Sequence, residues 1–223
     1  MSAPVSAPVS APLTETLRLI VILDVAAAGE RDLASLAGLA AHAGATMLQV
    51  RSKTQGPGPL AALTRAVIAA AGPVPVVVND RLDVALAAGA AGCHLGQDDL
   101  PIDTARRLAP AGFILGGSAG TADEARRAVR EGCDYLGIGP INVSPSKHDA
   151  GAAIGAAGFA NVRAAAGATA CVAIGGVQAR DVPALMAAGA SGVAVIGAAL
   201  GAADVSAAVR ELRNAVDGVP GRA

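Results

Sequence analysis

Aromatic side chains are nearly missing from this chain. Its 223 residues include no Trp, one Tyr and two Phe. A core built without large rings must be filled by small aliphatic side chains, and Ala dominates the 53% of residues that are apolar. An excess of one charge is lacking too. The formal net charge is −1 and no basic block occurs, which argues against nucleic acid as the main partner. Cysteine is scarce: Cys93, Cys133 and Cys171 form an odd set without metal-site spacing. They are expected as buried free thiols in a reducing cytoplasm. No GxGxxG follows the first apolar run, which weakens a doubly wound sheet. The N-terminus lacks the basic start and apolar run of a signal peptide. The longest uncharged stretch, 182–203, has the length to span a bilayer. Pro183, Gly189, Gly192, Gly197 and Gly201 break it, so it reads as helix, turn and buried strand.

Glycine is what the chain has in plenty, at 28 of 223 residues. Many of these glycines follow helical stretches, where C-caps need them. One pattern recurs, as AHAGATMLQV, AAGAAGCHLG, REGCDYLGIG and AAGASGVAVIG: a helix ends in Gly and an apolar strand begins a few residues later. Alternating β and α units produce this pattern. Eight strands are expected, at 19–24, 47–51, 74–78, 92–95, 113–117, 135–139, 170–174 and 192–196. Helical stretches lie between them, and 205–216 closes the chain. Runs such as LIVIL and ATACVAI are apolar on both faces, as buried parallel strands are. Eight βα units in this length predict a single-domain TIM barrel, with a doubly wound sheet as the alternative. The barrel should occupy 13–217, between a disordered Ser/Ala/Pro tail at 1–12 and a short tail at 218–223.

The most informative segment is 76–101, VVVNDRLDVALAAGAAGCHLGQDDLP. It reads as strand, polar tip, helix (82–88, ended by Gly89), strand, polar tip. Parallel strands joined by a crossover helix place both tips on one edge of the sheet. Asp80 and Asp99 can therefore face one site and hold a hard cation such as Mg²⁺. Alternatively, both merely cap helices. The other strand ends supply Asp24, Gln49, Arg51, Lys53, Asn79, His94, Gln97, Ser118, Lys147, Gly175-Gly176 and Gly197. In a TIM barrel these are active-site positions. Arg51 and Lys53 alternate along an extended segment and should point the same way. With Lys147 they suit a polyanion, which Mg²⁺ between Asp80 and Asp99 would bridge. Gly175-Gly176 and Gly197 follow strands seven and eight, a frequent phosphate position in this fold. The whole suggests two phosphorylated groups. Cys/His nucleophilic catalysis finds little support, and His94 reads as a hydrogen-bonded structural residue. Met47 and Met186 read as core.

These residues resemble the thiamine-phosphate synthase family over about 17–199, most specifically in NDRLDVALAAGAAGCHLGQDDLP, GPINVSPSK and the GG…GVAVIGA tail. The resemblance implies a barrel enzyme that joins hydroxymethylpyrimidine diphosphate to a thiazole phosphate. The diphosphate leaves first and the thiazole nitrogen captures the pyrimidine methyl cation. It implies Mg²⁺ on Asp80 and Asp99. It assigns Gln49, Arg51, Lys53, Asn79, Ser118 and Lys147 to the pyrimidine diphosphate, with Arg51, Lys53 and Lys147 neutralising the leaving group. Ser144, Pro145, Ser146, Gly176, Ile196 and Gly197 would hold the thiazole phosphate. Partners are then small phosphorylated molecules, not nucleic acid or membrane, and a homo-oligomer is compatible.

This chain departs from the family pattern at several points. Ser52 stands where an acidic residue is usual. Asn142-Val143 replaces a Phe-Pro pair, Ser144 and Ser146 replace Thr, and Gly197 replaces Ser. The first strand, LRLIVILD, lacks the Tyr and Thr often found there. Two other functions compete: a thiazole tautomerase, which should need neither Mg²⁺ nor the diphosphate cations, and a non-catalytic barrel that binds phosphorylated ligands.

Overall fold

Eight parallel strands pair in chain order and close on themselves in the computed structural model, which describes residues 11–143 and 152–219. They are β1 (Leu19–Asp24), β2 (Met47–Arg51), β3 (Val76–Asn79), β4 (Gly92–Leu95), β5 (Ile114–Ala119), β6 (Tyr135–Ile138), β7 (Ala170–Ile174) and β8 (Gly192–Val195). Closure rests on β1 pairing with both β2 and β8. A doubly wound sheet would leave two open edges, so that alternative is excluded.

Proline sets two of the boundaries that differ from expectation. β3 starts at Val76, not residue 74, because Pro75 has no N–H to give a ladder. β6 stops at Ile138, two residues before Pro140. β5 runs on to Ala119 and so carries Ser118 within the sheet. β8 ends one residue early because the Ile196 carbonyl begins a helical turn, accepting from Ala199 and Leu200 at 3.1 and 2.8 Å.

The helices form where their ends are satisfied. Ala122–Arg130 opens with a capping box, in which Thr121 Oγ1 accepts from Glu124 N and Glu124 Oε2 accepts from Thr121 N. Leu82–Ala88 ends at Gly89 in the left-handed region, as the sequence predicts. Val205–Asp217 is capped by Asp204, whose Oδ1 accepts from Ala207 N at 2.9 Å.

The core has two layers. One lies between strands and helices and consists mainly of Ala, Val and Leu. The other fills the barrel with Ile20, Ile22, Met47, Val77, Ile114, Tyr135, Val172 and Ala194. Leu17 completes this inner layer beneath β1, and Leu13 of the helical turn Leu13–Thr16 packs against it. The barrel is thus a packed core, closed at its N-terminal end. Met47 is buried and Met186 partly buried, as expected. The expected tail 1–12 lies almost wholly outside the described residues. Pro12 is described, and its carbonyl starts the Leu13–Thr16 turn by accepting from Glu15 and Thr16. The C-terminal helix ends at Asp217, and Gly218 is its C-cap.

Candidate active site

The barrel's C-terminal rim gathers the ionisable groups. The β1–β2 register sets Asp24 beside Arg51. Asp24 Oδ2 accepts from Arg51 Nη1, while its Oδ1 accepts from Ala27 N at 2.9 Å and caps the turn Val25–Ala28. Both side chains are largely buried, so Arg51 is held rather than free to sweep the mouth. Lys53 differs. Its Nζ lies 2.6 Å from Asp80 Oδ2, yet its side chain is 59% exposed and can turn toward an incoming anion.

Asp80 is the one non-glycine residue with positive φ (65°) among the described residues. Its N–H donates to the His94 carbonyl at 2.8 Å, and Arg81 N donates to the Asn79 carbonyl at 2.8 Å. β3 and β4 thereby hold the backbone in a conformation that costs about 1–2 kcal/mol for an L-residue. Asp99 accepts from Gly96 N at 2.7 Å. Neither carboxylate caps a helix. Leu82–Ala88 starts after Arg81 and Ile102–Leu108 after Pro101, and neither has a side-chain cap.

The two carboxyls hydrogen-bond each other. Burial pushes both up. At Asp80 the Lys53 ammonium and the bond from Asp99 outweigh burial and leave the carboxyl below its ordinary value. At Asp99 the Asp80 charge adds to burial and lifts its carboxyl. A proton taken up by the pair would therefore favour Asp99 over Asp80. Such a pair of oxygen donors has the chemistry to hold a hard cation. Among the described residues no group of three or more His, Cys, Asp or Glu could hold a metal ion. Two carboxylates suffice for Mg²⁺, which keeps waters and takes further oxygens from substrate phosphates.

Below the rim runs a buried polar chain. The Tyr135 hydroxyl lies within hydrogen-bond reach of Gln49, and His94 Nδ1 lies 3.0 Å from the same hydroxyl. His94 Nε2 lies 3.0 Å from Ser118 Oγ. Burial pushes the Tyr135 phenol up, so it stays a neutral hydroxyl. His94 is thus hydrogen-bonded at both ring nitrogens, as a structural histidine should be. Gly116 makes room for it. A Cβ there would lie 2.5 Å from His94 Nδ1 and against the Tyr135 ring.

On the β4 side, Gln97 Nε2 donates to the Ser118 carbonyl at 2.5 Å, and Arg127 donates to Gln97 Oε1. On the β6–β7 side, Asn142 Nδ2 donates to the Gly176 carbonyl at 3.1 Å and to Asp181 Oδ2 at 2.9 Å. Gly197 opens the turn Gly197–Leu200, and a Cβ on it would meet nothing within 4 Å. Arg51, Lys53, Asn79, Asp80 and Asp99 therefore share one rim, with Gln49 and Ser118 just below it and Gly176, Ile196 and Gly197 at the ends of β7 and β8. Ser144, Pro145, Ser146, Lys147 and His148 lie outside the described residues.

Sequence reasoning missed Tyr135, Arg127 and Asp181. Tyr135 carried a signal, since the sole Tyr of the chain opens a strand. Arg127 and Asp181 act across elements and carried none.

A closed (β/α)₈ barrel with its carboxylates, cations and glycine turns drawn up on the C-terminal rim defines a TIM-barrel enzyme. The chain matches the family described as thiamine monophosphate synthase over residues 19–199. It is 46% identical to a thiamine-phosphate synthase of Methanoregula boonei, over 90% of this chain and 93% of that protein. It is 45% identical to one of Methanoculleus marisnigri, over 89% and 94%. The solved thiamine phosphate pyrophosphorylase of Pyrococcus furiosus superposes with a TM-score of 0.84 at 32% identity, over 94% of this chain and all of that one. The chain belongs to the thiamine monophosphate synthase family.

Proposed function

We propose that this chain joins 4-amino-5-hydroxymethyl-2-methylpyrimidine diphosphate to a thiazole phosphate, releasing pyrophosphate and thiamine phosphate. The observation that carries this reading is the adjacent Asp80–Asp99 carboxyl pair beside Lys53, on the rim that also holds Arg51. Departure of a diphosphate needs its charge neutralised more than it needs a strong base. The bond between the pyrimidine methylene and the diphosphate oxygen breaks, and its electron pair leaves on the diphosphate. The thiazole nitrogen then donates its lone pair to the methylene carbon.

Asp80 and Asp99 would hold Mg²⁺, which when bound supplies a Lewis acid for the diphosphate oxygens. Lys53 would exchange Asp80 for a diphosphate oxygen once the cation neutralises that carboxylate. Arg51, fixed by Asp24, would present its remaining N–H donors to the same group. Gln49, Asn79 and Ser118 would orient the pyrimidine, and Lys147 would meet the departing diphosphate. Ser144, Pro145, Ser146, Gly176, Ile196 and Gly197 would hold the thiazole phosphate. Three cysteines without disulfides support a cytoplasmic setting.

The test mixes both substrates with Mg²⁺ and follows thiamine phosphate and pyrophosphate. Stoichiometric appearance of both, abolished by a chelator, is expected. Binding of both substrates without turnover would instead favour a ligand-binding barrel. Proton exchange on the thiazole alone, indifferent to Mg²⁺, would favour a tautomerase.

A further inference from the structure

We infer that Asn142 is a positioning residue that sets the turn after β7 to receive the thiazole phosphate, an inference that rests on the synthase reading. The turn begins with two left-handed glycines, Gly175 (φ 89°) and Gly176 (φ 68°). The segment after β6 extends the sheet over it: Ile141 N donates to the Ile174 carbonyl at 3.0 Å and Asn142 N to the Gly175 carbonyl at 2.9 Å. The approach is close enough that a Cβ on Gly176 would lie 2.9 Å from both the Cβ and the carbonyl oxygen of Asn142. The Asn142 side chain then binds the turn with both amide hydrogens, one to the Gly176 carbonyl and one to Asp181 Oδ2. Both partners are pure acceptors, so only the NH₂ end of the amide can face them. Asp181 Oδ2 also accepts from Gln178 N at 2.9 Å.

The Asn142–Asp181 pair thus fixes the carbonyl of Gly176 and the N–H of Gln178. Between them, the Gly176 and Val177 N–H groups donate to no acceptor among the described residues. A peptide whose carbonyl is pinned has its N–H direction pinned as well, because the peptide unit is planar. Asn142 therefore aims the Val177 N–H and steadies that of Gly176. Backbone donors held in this way suit an anion.

The test compares Asn142→Ala with wild type on the thiazole phosphate and on the thiazole alcohol that lacks the phosphate. Loss of one aimed hydrogen bond to a charged group predicts a kcat/KM about tenfold lower for the phosphate, carried by KM. The kcat, the KM for the pyrimidine diphosphate and the kcat/KM for the alcohol should stay near wild type. The swap Asn142→Asp with Asp181→Asn separates aiming from bracing. It restores a bond between positions 142 and 181 but leaves the Gly176 carbonyl without a donor, so melting temperature should recover while the thiazole phosphate KM stays high. Equal loss on both thiazoles, no loss on either, or rescue of KM by the swap would overturn the inference. Should Asn142→Ala fail to fold, Asn142→Ser, which keeps one donor, carries the same comparison.

If wild type makes no thiamine phosphate, the synthase reading fails, and calorimetric titration with inorganic phosphate still reads the turn. Tighter binding by wild type than by Asn142→Ala would then uphold the inference, and equal binding would reject it.

Discussion

Asp80 shows how much one residue can be asked to do. It takes a left-handed backbone, sits beside Lys53 and faces the Asp99 carboxyl. Asp80→Ala and Asp99→Ala should each lower turnover by orders of magnitude while circular dichroism stays native, since neither side chain packs in the apolar core. Full turnover of both variants in limiting Mg²⁺ would refute the cation site. Asp24 is the opposite case, a residue whose effect travels through another. Removing its charge leaves the Arg51 guanidinium largely buried and unpaired, which costs about 3–5 kcal/mol. Asp24→Asn should therefore lower the melting temperature and raise the KM for the pyrimidine diphosphate together. Urea titration alongside steady-state kinetics checks both. The sequence offered Asp24 as a strand end and Arg51 as a polyanion ligand. It could not show that they are partners, because that depends on the β1–β2 register. The same holds for Asn142 and Asp181, which lie 39 positions apart and meet only because β6 and β7 are neighbours.

Each strand of the barrel is short, and this is why the elements were legible. A run of four to six apolar residues between a glycine and a polar tip reads as a strand by its length and its flanks. Four of the eight strands match their expected limits, and the other four shift by one or two residues at one or both ends. Pro75 and Pro140 explain two of those shifts, and both prolines were in plain sight. The extension of β5 to Ala119 was not, since GGSAG reads as loop until β6 supplies partners for Ser118 and Ala119. β5 also holds the element-scale prediction. Gly116→Ala pushes a methyl group between His94 and Tyr135, where overpacking costs about 1–3 kcal/mol. It should lower stability and disturb Ser118 through His94. An unchanged melting temperature would show that the Tyr135 ring moves aside freely.

For the molecule as a whole, the scarcity of aromatics decides how the interior is filled. Tyr135 is the one aromatic residue of the inner layer, packed among aliphatic side chains and Met47. The thiols report on the same packing. Burial pushes Cys171 up to about 11 and Cys133 up to about 12. Both thiols therefore stay protonated in the native state at neutral pH, although Cys133 is only half-buried. A group whose pKa rises on folding stabilises the native state below its unfolded value, ordinarily 9.0, and that contribution is lost as pH climbs through the folded value. Melting temperature should thus fall between about pH 9 and 12, less steeply in Cys133→Ser and Cys171→Ser variants. A flat profile across that window would mean the thiols titrate alike in both states.

The packed floor has a kinetic consequence. With Leu17 and its neighbours packing the barrel interior, the described residues leave the site to be reached from the rim. Two substrates must enter and two products must depart by that route, so arrivals and departures compete for the same opening. A lingering product then does more than occupy its own berth: it obstructs the next arrival of either kind. Under the synthase reading, pyrophosphate and thiamine phosphate should each retard uptake of both substrates, and turnover at saturation should follow the slower of the two departures.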